Sequence, residues 1–275
     1  MPIAYNSAMK VLILFFSFFI AISWGDTIPL VKPSFDWGAG ILAIYGNHYR
    51  GSNQAKLWLF PMPYFSYTSE RLEANPSSIR GVLYKNERLS FKLSFMPGLR
   101  VQSKDNLARQ GMNSLDYTAE VGPMVIVKMW QSRDEEFLLN FEWPLRQSFA
   151  IDFSFIKSVG FFTVPFLNLI YKPIQKNRSG QFEFSISPMF ADKNYHQYFY
   201  GVDQKYSSVD RPAYSAKGGY SGFQSAILAN IKSKDFAIIN FFRWDVLNKA
   251  AFVESPLVKN KSYLICGFSL FWMIK

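Results

Sequence analysis

Arg88-Leu89-Ser90-Phe91-Lys92-Leu93-Ser94-Phe95 is the stretch that decides the fold. Leu and Phe occupy every second position, and Arg, Ser and Lys stand between them. That is the period of an extended strand with one apolar and one polar face. The pattern returns at Phe149, Ile151, Phe153 and Phe155, and again at Phe182, Phe184 and Ile186 against Gln181, Glu183 and Ser185. Near the end, Leu264, Cys266, Phe268, Leu270 and Trp272 fall on one face, and Tyr263, Ile265, Gly267, Ser269 and Phe271 on the other. The runs are roughly 9–11 residues long, which suits tilted transmembrane strands, and about twelve can be counted.

Working outward, residues 37–45 and 57–67 read as early strands. The second contains Pro61 and Pro63, which predict a bulge, a strand end or a rim, because proline cannot donate to a ladder. Residues 117–130 form a strand candidate broken or bulged at Gly122-Pro123. Residues 137–143 and 148–157 follow as separate strands, and 161–171 is a more continuously apolar one. Residues 218–231 and 236–244 predict a hairpin around 232–235. Polar connections are expected at 47–53, 102–114, 131–136, 172–180 and 251–261. The longest loop is 192–217, which is rich in tyrosine.

Composition agrees with a membrane wall. Hydrophobic residues make up 49% of the 275-residue chain, and the 28 phenylalanines are many for a soluble surface to hide. In a barrel they face lipid and form the aromatic girdles. A soluble β-sandwich or a lipocalin-like barrel with an aromatic core is the competing all-β solution. At the start, residues 11–23 form an apolar run preceded by Lys10. The run is too short to span a bilayer as a helix, and Ser23-Trp24-Gly25 places small residues for cleavage before Asp26. The expected organisation is a signal peptide at 1–25 and one outer-membrane domain at 26–275. The fold class is all-β: an antiparallel transmembrane β-barrel of roughly 12 strands after a cleaved signal peptide.

The formal charge of +10 favours anionic partners, among them lipopolysaccharide phosphates, peptidoglycan carboxylates and acidic proteins. Lys and Arg are spread along the chain with no dense cluster, so nucleic acid is not an expected partner. Spread in this way, they also simply solvate loops and strand ends. Cys266 is the single cysteine, so no internal disulfide can form. It reads as a small apolar strand residue.

In order along the chain, Trp37-Gly38-Ala39-Gly40 leading to Tyr49-Arg50-Gly51-Ser52, then Pro61-Met62-Pro63 before Tyr64 to Tyr67, form an opening signature. Tyr195-His196-Gln197-Tyr198-Phe199-Tyr200-Gly201-Val202 and Arg211-Pro212-Ala213-Tyr214-Ser215-Ala216-Lys217-Gly218-Gly219 follow later. This ordered set resembles the MipA/OmpV family of outer-membrane proteins. The chain departs from such barrels by running past Phe271-Trp272 to Met273-Ile274-Lys275 instead of ending on an aromatic. The resemblance implies a non-enzymatic scaffold in the cell outer membrane. Its partners would be membrane lipid and lipopolysaccharide, a lytic transglycosylase and a bifunctional penicillin-binding protein. Porin-like and adhesin roles occur among relatives and stay open.

Hydrolysis would need a nucleophile, a base and an orienting group. Only His48 and His196 supply imidazole. His48 with Ser52 in one polar turn, and His196 with Asp192 or Asp203, are the pairs the sequence offers. Each also reads as ordinary polar turn or rim chemistry. Asp134-Glu135-Glu136 could attract a divalent cation, but contiguous turn carboxylates usually face solvent. No catalytic, cofactor or metal residue is assigned, and no cofactor is expected. The tyrosine-rich 195–214 segment is the one candidate for a partner-binding or pore-constricting loop, with an interfacial aromatic girdle as its ordinary alternative.

Overall fold

The computed structural model describes residues 34–75, 78–152, 155–173 and 179–274. The expected signal segment lies outside them. The strands are β1 (Ser34–Asn47), β2 (Ala55–Thr68), β3 (Leu72–Asn75), β4 (Ser78–Lys85), β5 (Leu89–Gly98), β6 (Tyr117–Gln131) and β7 (Phe137–Asp152). They continue as β8 (Phe155–Thr163), β9 (Phe166–Tyr171), β10 (Ser179–Ala191), β11 (Gly219–Lys232), β12 (Phe236–Val246) and β13 (Ser262–Ile274). Every pairing is antiparallel, and the sheet closes where β1 meets β13, from Trp37↔Ile274 to Gly46↔Ile265. β8 and β9 share the same neighbours, β7 and β10, and are one strand interrupted at Val164-Pro165. The described residues therefore form a closed 12-strand antiparallel barrel. No described helix is long and apolar enough to cross a membrane.

Alternation decides which side chain meets lipid. On β13, Phe268 and Trp272 point outward and are exposed, whereas Gly267, Ser269 and Phe271 are buried inside. On β5, Phe91 and Phe95 face out, and Lys92 and Ser94 are buried. Trp37, Trp130, Trp143, Trp244 and Trp272 all lie on the exposed outer face, the place of the aromatic girdles. Connections at one end are short: 69–71, 86–88, 132–136 and 233–235. At the other end, 48–54, 99–116, 192–218 and 247–261 form larger loops. Short turns on the periplasmic side and long loops outside are the arrangement of outer-membrane barrels.

Several local expectations change. β2 runs straight through Pro61 and Pro63 in unbroken register with β1, so they mark neither a bulge nor an end. The β6–β7 ladder lapses at Gly122-Pro123 without losing register, and the bulge falls later, between Lys128 and Trp130. The expected 148–157 strand is instead divided between the end of β7 and the start of β8, which pair with each other. The tyrosine-rich loop holds a helix, α1 (Lys193–Tyr200), whose first turn is capped by Asp192 accepting from Tyr195 N at 2.8 Å.

Candidate functional site in the long-loop mouth

α1 sits across the mouth of the barrel and ties its walls together. The Tyr195 ring stacks on Phe162 of β8 at 4.9 Å, and its hydroxyl donates to Glu120 of β6 at 3.1 Å. On another wall, His196 Nε2 lies 3.0 Å from Ser221 Oγ of β11. Tyr200 stacks on Phe252 of the 247–261 loop at 3.6 Å. At the helix end, Arg109 from the 99–116 loop donates to the Phe199 carbonyl at 2.9 Å, where the helix dipole favours a cation. Tyr198 Oη accepts from Asp116 N at 2.9 Å. Tyr49, Val101, Leu115, Tyr200, Leu247, Ala250 and Phe252 form the apolar core of this cap.

Beneath the cap lies a buried charge cluster. Arg50 Nε and Arg243 Nη2 each donate to Asp245 Oδ2 at 2.7 Å, and Arg243 Nε donates to Oδ1 at 2.8 Å. Arg50 also donates to the carbonyl of Ser221 and, at 3.1 Å, to its hydroxyl. The Ser221 proton is then directed to His196 Nε2, and Nδ1–H to the Lys217 carbonyl at 2.6 Å. This assignment keeps the imidazole neutral. Burial and the nearby Arg50 charge both push the His196 pKa down. Burial raises the Tyr49 phenol to about 12, while its hydroxyl donates to the Leu257 carbonyl at 2.7 Å. Burial also lowers the Arg109 pKa, and its guanidinium lies 5.8 Å from the Tyr49 ring centre.

The candidate pairs of the sequence do not form. Asn106 stands between His48 and Ser52, donating to Ser52 Oγ at 3.0 Å and lying 3.2 Å from His48 Nδ1. Asp192 caps the helix and leaves His196 to Ser221. Asp134 accepts from Ser132 at 2.5 Å and from the Glu136 amide at 3.2 Å, the bonds of an ordinary turn. Among the described residues no group of three or more His, Cys, Asp or Glu gathers as a metal site. The Ser221–His196 contact has the spacing of a nucleophile and its base. Both residues are fully buried, however, and Arg50 occupies the Ser221 hydroxyl from the other side.

Lower in the lumen, one half of the wall is polar. Asn168 bridges Glu142 at 3.1 Å and Glu183 at 2.8 Å, and Arg80 reaches across from β4 to Glu142 at 3.9 Å. Arg146 donates to Ser94 at 3.0 Å and lies 3.9 Å from Glu120. The other half is apolar: Tyr64, Ala237, Ile239 and Phe271 pack together with Met62, Leu228 and Met273. Lys232 of β11 closes the short-turn end of this half against Asp36 of β1 at 2.5 Å.

The sequence matches the profile of MltA-interacting protein MipA over residues 39–274. The chain belongs to the MipA family. This is an outer-membrane barrel of that family, with its lipid-facing aromatic belt and asymmetric loops. No curated protein matches it. Among solved structures it is similar to the outer membrane protease OmpT of Escherichia coli, at 8% identity and a TM-score of 0.28, covering 92% of this chain and 97% of that one. It is also similar to the COG4313 outer membrane channel of Pseudomonas putida F1, at 8% identity and a TM-score of 0.33, covering 91% and 100%. A Pseudomonas aeruginosa FadL homologue matches at 6% identity and a TM-score of 0.26, covering 88% and 89%.

Sequence reading missed Arg50, Ser221, Arg243 and Asp245 as a group. Arg50 and Asp245 are separated by 195 positions, and nothing local marks them as partners. Their one shared signal is that each falls on or next to the inward face at a strand's upper end.

Proposed function

We propose that this MipA-family barrel is a non-enzymatic scaffold. It holds a lytic transglycosylase at the outer membrane, together with a bifunctional penicillin-binding protein, during murein growth. The observation that carries the reading is the crowded interior: buried polar side chains cross two or three strands of the wall, an apolar cluster fills the opposite half, and α1 with three long loops packs the mouth. Such a barrel has surface to offer rather than a passage. The family description, an MltA-interacting protein, supports the same reading. The buried state of Ser221 and His196 supports a structural role for them over hydrolysis. In this arrangement export relies on cleavage after Gly25, and the enzymes meet the short-turn, periplasmic end. The test is affinity capture by the refolded barrel in detergent, using a purified membrane-bound lytic transglycosylase with and without the penicillin-binding protein. Co-elution of the transglycosylase is the expected result. No retention by a barrel of native heat-modifiable mobility overturns the proposal.

A further inference from the structure

Among the described residues the closed ring is thin where β2 meets β3. β2 meets β3 through only two residue pairs, Tyr67↔Ala74 and Thr68↔Glu73. The β3–β4 hairpin is short: it closes at Asn75↔Ser78, and its last rung on the far side is Ile79↔Phe95. Above it, among the described residues, β2 has β1 on one edge and no strand on the other from Ala55 to Ser66. β5 likewise keeps β6 but no partner on its β4 side from Met96 to Gly98. The 99–116 loop crosses the top, where Lys56 Nζ lies 3.4 Å from Asp105 and Leu107 N donates to Gln54 at 2.6 Å. Among the described residues the wall therefore contains a window bounded by β2, the Asn75↔Ser78 rung, β5 and this loop.

The window opens into the apolar belt. Leu57, Leu59 and Phe65 on the outward face of β2 are all exposed, so the open edge runs at lipid depth. Inward-facing apolar side chains elsewhere are covered: Met124 is 1% exposed and Phe271 0%. At the window two of them are not. Phe60 pairs with Leu42 and is 36% exposed; Met96 pairs with the buried Glu120 and is 46% exposed. Trp58 and Met62, on the same face as Phe60, complete an apolar lining.

The edge is not a template for another strand. Pro61 and Pro63 are two residues apart and present the same edge, and the register with β1 is unbroken through both. Their missing N–H groups therefore fall on the open side, where they remove the donors at the centre of the edge. An incoming strand would find carbonyls there without partners. A hydrocarbon chain needs no donors, and the exposed outward Leu57, Leu59 and Phe65 place this edge among acyl chains.

We propose that the window between β2 and β5 admits the acyl chain of an outer-leaflet membrane lipid, which packs on Trp58, Phe60, Met62 and Met96. The test uses the full-length barrel with Cys266→Ser, carrying a fluorescent label at Phe60→Cys or Met96→Cys. It is reconstituted in phosphatidylcholine–phosphatidylglycerol vesicles containing lipid spin-labelled on its acyl chain. Leu59→Cys is the lipid-facing reference and Met124→Cys the enclosed one. Labels at Phe60 and Met96 should be quenched as strongly as at Leu59 and several-fold more than at Met124. Quenching at the Met124 level in a barrel of native heat-modifiable mobility overturns the proposal. So does protection accompanied by disulfide cross-linking between copies through Leu59→Cys, which would place a second chain on the edge. Met96 is the more exposed of the two, so it carries the test alone if Phe60→Cys does not fold.

Discussion

Asp245→Asn is the perturbation that best probes how the mouth is held. Asp245 is fully buried and receives three short hydrogen bonds from two guanidiniums, at 2.7, 2.7 and 2.8 Å. The amide keeps the volume but removes the charge, and it turns two N–H donors toward Arg50 and Arg243. Breaking a buried pair by neutralising one partner costs about 3–5 kcal/mol, because the remaining charge stays buried and unpaired. Here two cations are stranded, although Arg50 keeps its bonds to Ser221 and Arg243 its contact 5.7 Å from the Tyr263 ring. A loss at the lower end, about 3 kcal/mol, is expected. The assay is urea unfolding of the refolded barrel in detergent, followed by tryptophan fluorescence and heat-modifiable mobility. A cycle with Arg50→Met sharpens it. In the double variant only Arg243 lacks its carboxylate, so the double loss must fall well short of the sum of the singles. Strict additivity, or a single loss below about 1 kcal/mol as for an exposed pair, would refute the cluster as the clamp that joins β12 to the 48–54 loop.

Four further outcomes follow from the same geometry. Folded protein in planar bilayers should show no stepwise conductance, and a steady open level would mean that the mouth is not packed. Tyr195→Phe removes the donor to Glu120, leaves a buried carboxylate short of a partner, and should cost about 1–3 kcal/mol in the same unfolding assay. The phenols of Tyr49 and Tyr198 should both titrate near 12 by ultraviolet difference absorbance, against about 10 unfolded. Their stabilising contribution is thus complete below pH 10 and lost as pH rises from 10 to 12; a single transition at 10 in the folded state would contradict their burial. The His196 pKa is lowered, so its contribution is present above the unfolded value of 6.5 and is lost as pH falls below it. Wild type should lose more stability in this acid range than His196→Gln, and equal slopes would count against a neutral buried imidazole.

Much of the barrel was legible because alternation is a local signal. The two faces of β13 and β5 follow from alternation, although which face of β13 meets lipid does not, and the long loops at 102–114, 192–217 and 251–261 announce themselves by polarity. What was not legible depends on neighbours. β3 and β4 carry Glu73, Arg80 and Lys85 among short apolar pieces, and their identity as strands comes from the rungs that join them to β5. The helix α1 hides in a tyrosine-rich stretch that, read alone, suits a girdle or a loop equally well; Asp192 as its cap becomes meaningful only once Tyr195 has walls to pack on. The His–Asp pairing failed for a similar reason. Sequence proximity places Asp192 near His196, but the helix start takes up that carboxylate, and the imidazole finds Ser221 25 positions away.

The glycines of the first and last strands bear on closure as well. Gly40 and Gly267 both face the lumen. A Cβ at Gly40 would stand 2.6 Å from the Phe271 ring, and one at Gly267 2.1 Å from the Phe241 ring. The missing side chains therefore make room for larger ones opposite, and the space goes to aromatic rings rather than to water. Phe271 in turn meets Tyr64 at 5.2 Å between ring centres, which carries the packing from β13 across β1 to β2. A barrel built to conduct would line those positions with polar groups. In this chain the apolar half of the lumen is filled at the cost of wall side chains, and the polar half is cross-linked by charge. Both halves give a packed interior, and on the proposed scaffold reading the working surfaces are the barrel's ends and its lipid-facing wall.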